Sequence, residues 1–170
     1  MRQKSNIILT GFMATGKTTI GKLLAQQLSW EFVDTDEIIV SQQAMSIENI
    51  FSQFGEEAFR KLENEVARDL AKREHLVIST GGKMMLDPLN AEILEKNGNV
   101  FSLLATPEEI LSRLKQDQIN TRPLLKGANP KAKIVQLLQE REKGYQRFQT
   151  VDTGSKTPAE VAENILSLLK

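Results

Sequence analysis

Eight residues near the N-terminus have the spacing of a phosphate-binding loop. They run from Gly11 to Thr18 with the sequence GFMATGKT, which matches the Walker A pattern G-x-x-x-x-G-K-[ST] between a predicted buried strand and a predicted helix. The glycines let the backbone turn its N–H groups towards phosphate oxygens, and the helix N-terminus adds partial positive charge. Lys17 is expected to reach the β- and γ-phosphates, and the Thr18 hydroxyl to coordinate Mg²⁺. The alternative, an accidental glycine turn beside a surface lysine, is disfavoured by the flanking strand and helix.

We therefore predict that ATP and Mg²⁺ bind at this loop and that Lys17 is catalytic. The chemistry implied is transfer of the terminal phosphoryl group of ATP to a small molecule. The residues expected to contact the nucleotide are Ala14, Thr15, Gly16, Lys17, Thr18 and Thr19.

An acidic cluster, Asp34-Thr35-Asp36-Glu37, follows a short predicted strand at Phe32-Val33. On an extended segment the two aspartates alternate between faces, so different roles are expected for them. Because Mg²⁺ prefers carboxylates, water and phosphate oxygens, Asp34 is the expected metal ligand, direct or through water. Asp36 is left to bind or deprotonate an acceptor hydroxyl. The same pattern fits a solvated acidic turn that caps the next helix equally well. The neighbouring Walker A loop favours the catalytic interpretation.

Three arginines are candidates for binding anions. Arg60 precedes Glu63 by about one helical turn, a spacing that can brace a guanidinium for forked binding of a carboxylate, although surface pairs of this kind are common. Arg122 lies in a long polar loop, and Arg141 lies on the helix predicted to follow it. Both can supply positive charge for an anionic acceptor or for the transferring phosphoryl group.

Gly81-Gly82 follow another buried-strand pattern, residues 76–80, and allow the backbone to approach a ligand closely. Lys83 comes directly after them, where its charge would lie near the phosphates, and solvent exposure is its alternative interpretation. The remaining conspicuous residues are interpreted as structural or packing residues: His75, Trp30, Met84 and Met85.

The predicted elements alternate between strands and helices along the whole chain. Strand patterns fall at residues 7–10, 32–33, 76–80, 100–104 and 150–152. Helices are predicted from Thr18, from Ser46 to Lys72 with a break near Gly55, from Pro88, from Pro107, from Lys131 and from Pro158. This alternation implies right-handed crossovers, a parallel sheet, and a ligand site at the carboxyl ends of its strands. The Walker A loop, the acidic cluster and Gly81-Gly82 all fall at such ends.

The composition is that of a globular protein of one domain, residues 1–170. Lys plus Arg and Asp plus Glu both number 22, so no excess positive charge indicates a nucleic-acid or membrane partner. The chain has no Cys, which excludes disulfides and thiolate metal sites and fits a reducing compartment. The N-terminal apolar stretch is too short for a signal peptide or a membrane span. We expect a cytoplasmic monomer.

Taken together, these residues resemble the shikimate kinase family, which has the nucleoside-monophosphate-kinase-like P-loop fold, over nearly the whole chain. The resemblance rests on the segments GFMATGKTTIGKLLA at 11–25, FVDTDEII at 32–39, IFSQFGEEAFRKLE at 50–63, STGG at 79–82, RPLL at 122–125, residues 141–145, and VDTGSKTPAEV at 151–161. It implies a three-layer α/β/α P-loop NTPase fold with a central parallel sheet. It also implies an acceptor-binding helical region at about 37–73 and a mobile lid at about 116–130.

The activity implied by the resemblance is transfer of the γ-phosphoryl group of ATP to the 3-hydroxyl of shikimate, in aromatic amino-acid (chorismate) biosynthesis. Asp34 would help hold Mg²⁺, and Asp36 would bind the shikimate hydroxyls and act as base. Arg122 would be catalytic and reach the phosphates as the lid closes. The acceptor would be held by Arg60 and Arg141 at its carboxylate and by the backbone of Gly81 and Gly82. Lys115 and Pro158 would flank adenine.

Three departures from the family pattern stand out. Ala14-Thr15 replace the usual glycine and serine, Lys83 replaces a third glycine, and Lys143-Gly144 replace a proline and a leucine. A side chain at Lys83 would crowd shikimate, add an anion contact, or signal another acceptor. Two alternatives therefore stay open: a P-loop kinase for a different small acceptor, such as a nucleotide or a sugar acid, and a non-catalytic nucleotide-binding module.

Overall fold

The computed structural model describes residues 4–116 and 129–169 of the chain. One or two helices follow each strand in these ranges, in agreement with the predicted alternation. In chain order they are β1 (Asn6–Gly11), α1 (Lys17–Leu28), β2 (Glu31–Asp34), α2 (Thr35–Gln43), α3 (Ile47–Leu70), β3 (Leu76–Ser79), a 3₁₀ turn (Met84–Leu86), α4 (Pro88–Glu95), β4 (Gly98–Leu104), α5 (Pro107–Gln116), α6 (Pro130–Gln146), β5 (Gln149–Asp152) and α7 (Pro158–Leu168).

The five strands form one parallel sheet in the order β2-β3-β1-β4-β5. The strand order changes direction at β1, so the loops that leave β1 and β3 open a crevice at the carboxyl edge of the sheet. The register places Asp34 beside Ser79 and Ser79 beside Leu9. The acidic cluster, the glycine pair and the Walker A loop therefore leave the sheet at one level.

Helices cover both faces of this sheet, which confirms the predicted α/β/α layering. On one face Ile8, Val33 and Ile78 pack with side chains of α2, α3 and α4. On the other face the alternate residues, among them Ile7 and Val77, pack with α1 and α7. Strands buried on both faces read as continuous apolar runs, which is why the sequence pattern identified them.

Several helix starts follow the predicted chemistry. Ser46 and Asp87 cap α3 and α4 with their side-chain oxygens, and Pro158 is the first residue of α7. The interruption predicted near Gly55 is also confirmed, because this glycine has φ 81 and ψ 173 inside α3. Met84 and Met85 are buried, as expected for packing residues.

Two predictions about backbone form need correction or fall outside the structure. Asp36 is not on an extended segment, because α2 begins at Thr35 directly after β2. The proposed lid at about 116–130 lies mostly outside the described residues, and its described ends are helical: Gln116 closes α5 and Pro130 opens α6. None of the described helices is long and apolar enough to cross a membrane.

Candidate active site

The Walker A loop joins β1 to the N-terminus of α1. Gly16 stands at the N-cap with φ 96, a left-handed conformation that an L side chain rarely adopts. Among the described residues no side chain caps α1, and its first turn has no acidic residue. The N–H groups of this turn thus face the loop with no acidic residue beside them in the turn, as an anion site requires.

Side chains within the loop fix its shape. The buried Thr15 donates its hydroxyl hydrogen to the carbonyl oxygen of Phe12 at 2.8 Å. The Lys17 ammonium donates to the carbonyl oxygens of Gly11 and Phe12, at 2.9 and 2.8 Å. The Lys17 side chain therefore reaches back from the start of α1 to the first two residues of the loop.

The acidic cluster forms the helix cap that one of its two predicted interpretations requires. Asp34 caps α2, since its Oδ1 accepts from the N–H groups of Asp36 and Glu37 at 3.0 and 3.4 Å. Both bonds end on Oδ1, so the second carboxylate oxygen takes no part in the cap. Asp36 is in the first helical turn and points towards the glycine pair after β3. The two aspartates thus differ in position because Asp34 is the cap and Asp36 belongs to the helix, and not because of strand alternation.

The carboxylates of Asp36 and Glu63 both lie beside Gly81. A Cβ built on Gly81 would lie 2.7 Å from Asp36 Oδ1 and 3.2 Å from Glu63 Oε1. Both carboxylates therefore crowd the backbone of Gly81, and only glycine leaves room for them. The Gly81 N–H donates to the buried Thr35 hydroxyl at 3.0 Å, and the Gly81 carbonyl accepts from Met84 N–H at 3.0 Å.

Glu63 is buried and braces Arg60. Its carboxylate is 1% exposed and lies 2.5 Å from Arg60 Nη1. The pair is therefore not the common surface pair that helical spacing alone also allows. Burial raises the pKa of Glu63 to about 7, against the lowering effect of Arg60, and the nearby carboxylates of Asp36 and Asp87 raise it further.

Arg141 reaches the same region from α6. Its guanidinium is buried, stands 5.3 Å from the Phe12 ring centroid, and lies 3.6 Å from the position of a Cβ on Gly82. One helical turn later Tyr145 donates its hydroxyl hydrogen to the Gly82 carbonyl at 2.6 Å. Burial raises the pKa of the Tyr145 hydroxyl, although its bond with Arg141 lowers it, so the phenol remains a donor at neutral pH. Tyr145 was missed at the sequence level, yet its i, i+4 spacing from Arg141 was a usable signal.

A separate depression of about 510 Å³ lies between α1, from Thr18 to Gln26, and the first turn of α7. Its lining includes Thr18, Thr19 and Pro158. The structure thus brings Pro158 to the predicted phosphate end of the site. Lys115 is exposed in the last turn of α5 and is not among the lining residues.

Arg113 is a second residue that sequence reasoning missed. Its guanidinium donates to the carbonyl oxygens of Ala14 and Thr153, at 3.1 and 3.0 Å, and to the Thr153 hydroxyl at 3.0 Å. These bonds join the Walker A loop to the segment between β5 and α7. Its partners lie 99 and 40 residues away in the chain, so no local pattern points to them.

Two further candidates can now be placed. Arg122 lies outside the described residues. Lys83 is half-exposed and forms an ion pair with Glu56 of α3, at 3.2 Å.

The described residues contain no group of three or more Asp, Glu, His or Cys side chains suited to holding a metal by themselves. Mg²⁺ bound mainly by phosphate oxygens and water needs only one or two protein oxygens, and the hydroxyl of Thr18 and the carboxylate of Asp34 are the donors that the sequence predicts.

The strand order, the Walker A loop and the carboxylate and guanidinium groups opposite it define a P-loop phosphotransferase. Comparison with known proteins narrows this class. The sequence profile of shikimate kinases matches residues 13–170, and the chain belongs to the shikimate kinase family.

Its relatives include the shikimate kinases of Caldicellulosiruptor saccharolyticus, 44% identical over 96% of this chain and 94% of theirs, and of Geobacter sulfurreducens, 41% identical over 97% and 91%. A solved shikimate kinase from Acinetobacter baumannii, in complex with shikimate, is 36% identical with a TM-score of 0.88 and covers 97% of this chain and 92% of its own. A gluconokinase from Sinorhizobium meliloti, 16% identical with a TM-score of 0.65, shares the fold.

Proposed function

We propose that this member of the shikimate kinase family transfers the γ-phosphoryl group of ATP to the 3-hydroxyl of shikimate. The observation that carries the proposal is the cluster around Gly81-Gly82, where Asp36, the Glu63–Arg60 pair and Arg141 converge. This cluster lies across the sheet edge from the Walker A loop. It combines the carboxylate of Asp36, which can bind a hydroxyl, with the guanidinium groups of Arg60 and Arg141, which can bind a carboxylate.

On the acceptor side, Arg60 and Arg141 bind the shikimate carboxylate through their forked N–H groups. Asp36 accepts a hydrogen bond from the reacting hydroxyl and takes its proton as the new O–P bond forms, while the bond from the γ-phosphorus to the β,γ-bridging oxygen breaks and ADP leaves. Gly81 uses its own N–H and carbonyl within the protein, so its part is to leave space for Asp36. Gly82 remains the better backbone donor to the acceptor, because its N–H bonds to no other described residue.

On the nucleotide side, the N–H groups from Ala14 to Thr19 bind the phosphates of ATP, and the Lys17 ammonium contacts the β- and γ-phosphates. Thr18 and Asp34 would hold Mg²⁺, which when bound neutralises charge on the phosphate oxygens. Arg122 would add a second cation at the transferring group, and Lys115 and Pro158 would flank adenine. The depression between α1 and α7 supports the place of Pro158 in this scheme.

The test is ATP turnover by the purified protein with Mg²⁺, with and without shikimate. We expect ADP release that depends on shikimate, and a product identified by mass and NMR as the 3-phosphate. Nucleoside monophosphates and gluconate serve as alternative acceptors. Turnover with one of these and not with shikimate would refute the proposed acceptor. ATP binding without turnover on any acceptor would instead indicate a non-catalytic module.

We also propose that the protein acts as a cytoplasmic monomer. The large exposed hydrophobic side chains of the described ranges lie on four different helices: Val40, Phe54, Leu89 and Leu168. Their distribution over four helices supports a monomer, since a stable interface needs a contiguous apolar patch. Light scattering after size-exclusion chromatography should give the mass of one chain, 19.1 kDa, and a dimer mass would refute this.

A further inference from the structure

Lys83 links the glycine turn after β3 to helix α3. Its backbone has φ −108 and ψ −8, an ordinary conformation that any residue adopts. Its ammonium lies 3.2 Å from Oε1 of Glu56, the residue that directly follows the kink at Gly55. The side chain therefore spans the rim of the acceptor site, from the sheet edge to the helix that carries Arg60.

Glu56 holds two cations on a single carboxylate oxygen. Arg60 donates to Oε1 from Nη2 at 3.0 Å and from Nε at 3.3 Å, and the same atom contacts Lys83. Both partners keep Glu56 ionised, since Arg60 first and Lys83 second lower its pKa. Glu56 is thus shared between Arg60, which is proposed to bind the acceptor, and Lys83, which is not.

The guanidinium of Arg60 is engaged on both edges. Nη1 binds Glu63, while Nε and Nη2 bind Glu56. A carboxylate that binds the Nε–Nη2 edge of Arg60 in a forked manner must replace Glu56, which fills that edge. The Glu63 side chain is 1% exposed and the Glu56 side chain is 54% exposed, so Glu56 is the one that can leave.

We propose that Lys83 is a positioning residue for the acceptor carboxylate. When the acceptor carboxylate displaces Glu56 from Arg60, Glu56 keeps its ion pair with Lys83 and so stays away from Arg60. The inference rests on the proposed function, since it requires an acceptor that bears a carboxylate. In the absence of Lys83, the ion pair left to Glu56 is the one with Arg60, and Glu56 competes with the acceptor for that guanidinium. Lys83 therefore affects how tightly the acceptor binds and leaves the phosphoryl-transfer step unchanged.

The first experiment compares steady-state constants of the unmutated protein with those of Lys83→Ala and Lys83→Arg. Lys83→Ala should raise the KM for shikimate about twofold to fivefold, the range of exposed ion pairs, with kcat and the KM for ATP unchanged. Lys83→Arg, which keeps the positive charge, should have the same KM for shikimate as the unmutated protein. The matched control is Lys61→Ala, which removes an exposed lysine paired with Glu57 at 3.0 Å on the same helix and should change nothing.

The decisive experiment repeats the Lys83→Ala substitution in a Glu56→Gln background. Once Glu56 carries no charge, it no longer competes for Arg60, so loss of Lys83 should leave the KM for shikimate unaltered. An equal rise in KM in both backgrounds would mean that Lys83 acts on the acceptor without Glu56, and would overturn the proposal. An unchanged KM for Lys83→Ala in an active enzyme would also overturn it.

Failure of the proposed function has a different signature. In that case the unmutated protein itself would release no ADP in response to shikimate, and the premise of an acceptor carboxylate on Arg60 would be lost with it.

Discussion

Glu63 makes the stability of the fold depend on pH in a direction opposite to that of ordinary acidic residues. Its carboxyl group is buried beside Arg60, and burial raises its pKa from 4.5 to about 7. The folded state therefore binds a proton that the unfolded chain has released across the interval between these two values. The resulting contribution to stability is largest below pH 4.5 and is lost as the pH rises towards 7.

The magnitude follows from the size of the shift. Between pH 5 and pH 8 this single group should lower the free energy of unfolding by roughly 2 to 3 kcal/mol. Glu63→Gln keeps the volume of the side chain and an oxygen for Arg60, and it removes the titration. We thus expect the unmutated protein to lose roughly 2 to 3 kcal/mol relative to Glu63→Gln over this interval.

The assay is urea denaturation at pH 5 and pH 8, followed by far-ultraviolet circular dichroism and by the fluorescence of Trp30, the one tryptophan of the chain. Glu65→Gln is the matched control, since Glu65 is exposed two residues further along α3. Its pH dependence should parallel that of the unmutated protein. Parallel curves for Glu63→Gln as well would refute the raised pKa and the burial argument behind it.

Three other predictions follow from the site and its surroundings. Lys17→Ala should reduce ATP turnover at least a hundredfold, about 3 kcal/mol of transition-state stabilisation, with an unchanged circular dichroism spectrum; near-normal turnover would contradict the P-loop mechanism. Gly81→Ala, whose Cβ would lie 2.7 Å from Asp36 Oδ1, should lower the free energy of unfolding by about 1 to 3 kcal/mol in urea titrations, whereas Gly82→Ala, with its nearest neighbour at 3.6 Å, should change it by less than about 1 kcal/mol. Thr157→Ala removes the capping box of α7 and should lower the thermal midpoint, at a cost of about 1 kcal/mol, and an unchanged midpoint would contradict it.

The sequence predicted those features whose causes are local. The Walker A loop, the caps at Ser46 and Asp87, and the break at Gly55 depend on residues within a few positions of one another. The buried strands were recognisable because a parallel sheet covered on both faces requires continuous apolar runs. The layering of the fold followed from the alternation of these elements.

Two of the errors and omissions are local, the helical position of Asp36 and the omission of Tyr145, and the others have long-range causes. The extended placement of Asp36 was wrong, and the alternative that the sequence left open, an acidic turn that caps the next helix, is the one that the structure shows. The burial of Glu63 was not readable, because the i, i+3 spacing from Arg60 is the same for a surface pair and a buried one. Arg113 could not be identified for another reason, since the groups that it binds are distant in the sequence and come together only in the folded chain.

The contact between Arg113 and the Walker A loop has a consequence for how a nucleotide meets the protein. Ala14 has φ 58, a left-handed conformation that costs a residue with a Cβ about 1 to 2 kcal/mol, and the Arg113 guanidinium holds its carbonyl oxygen. The loop is thereby set in a phosphate-ready curve during folding, before any ligand arrives. A nucleotide then binds a loop that is already ordered, so binding costs little conformational entropy in this loop. The backbone of the Walker A loop should therefore be the same with and without bound nucleotide.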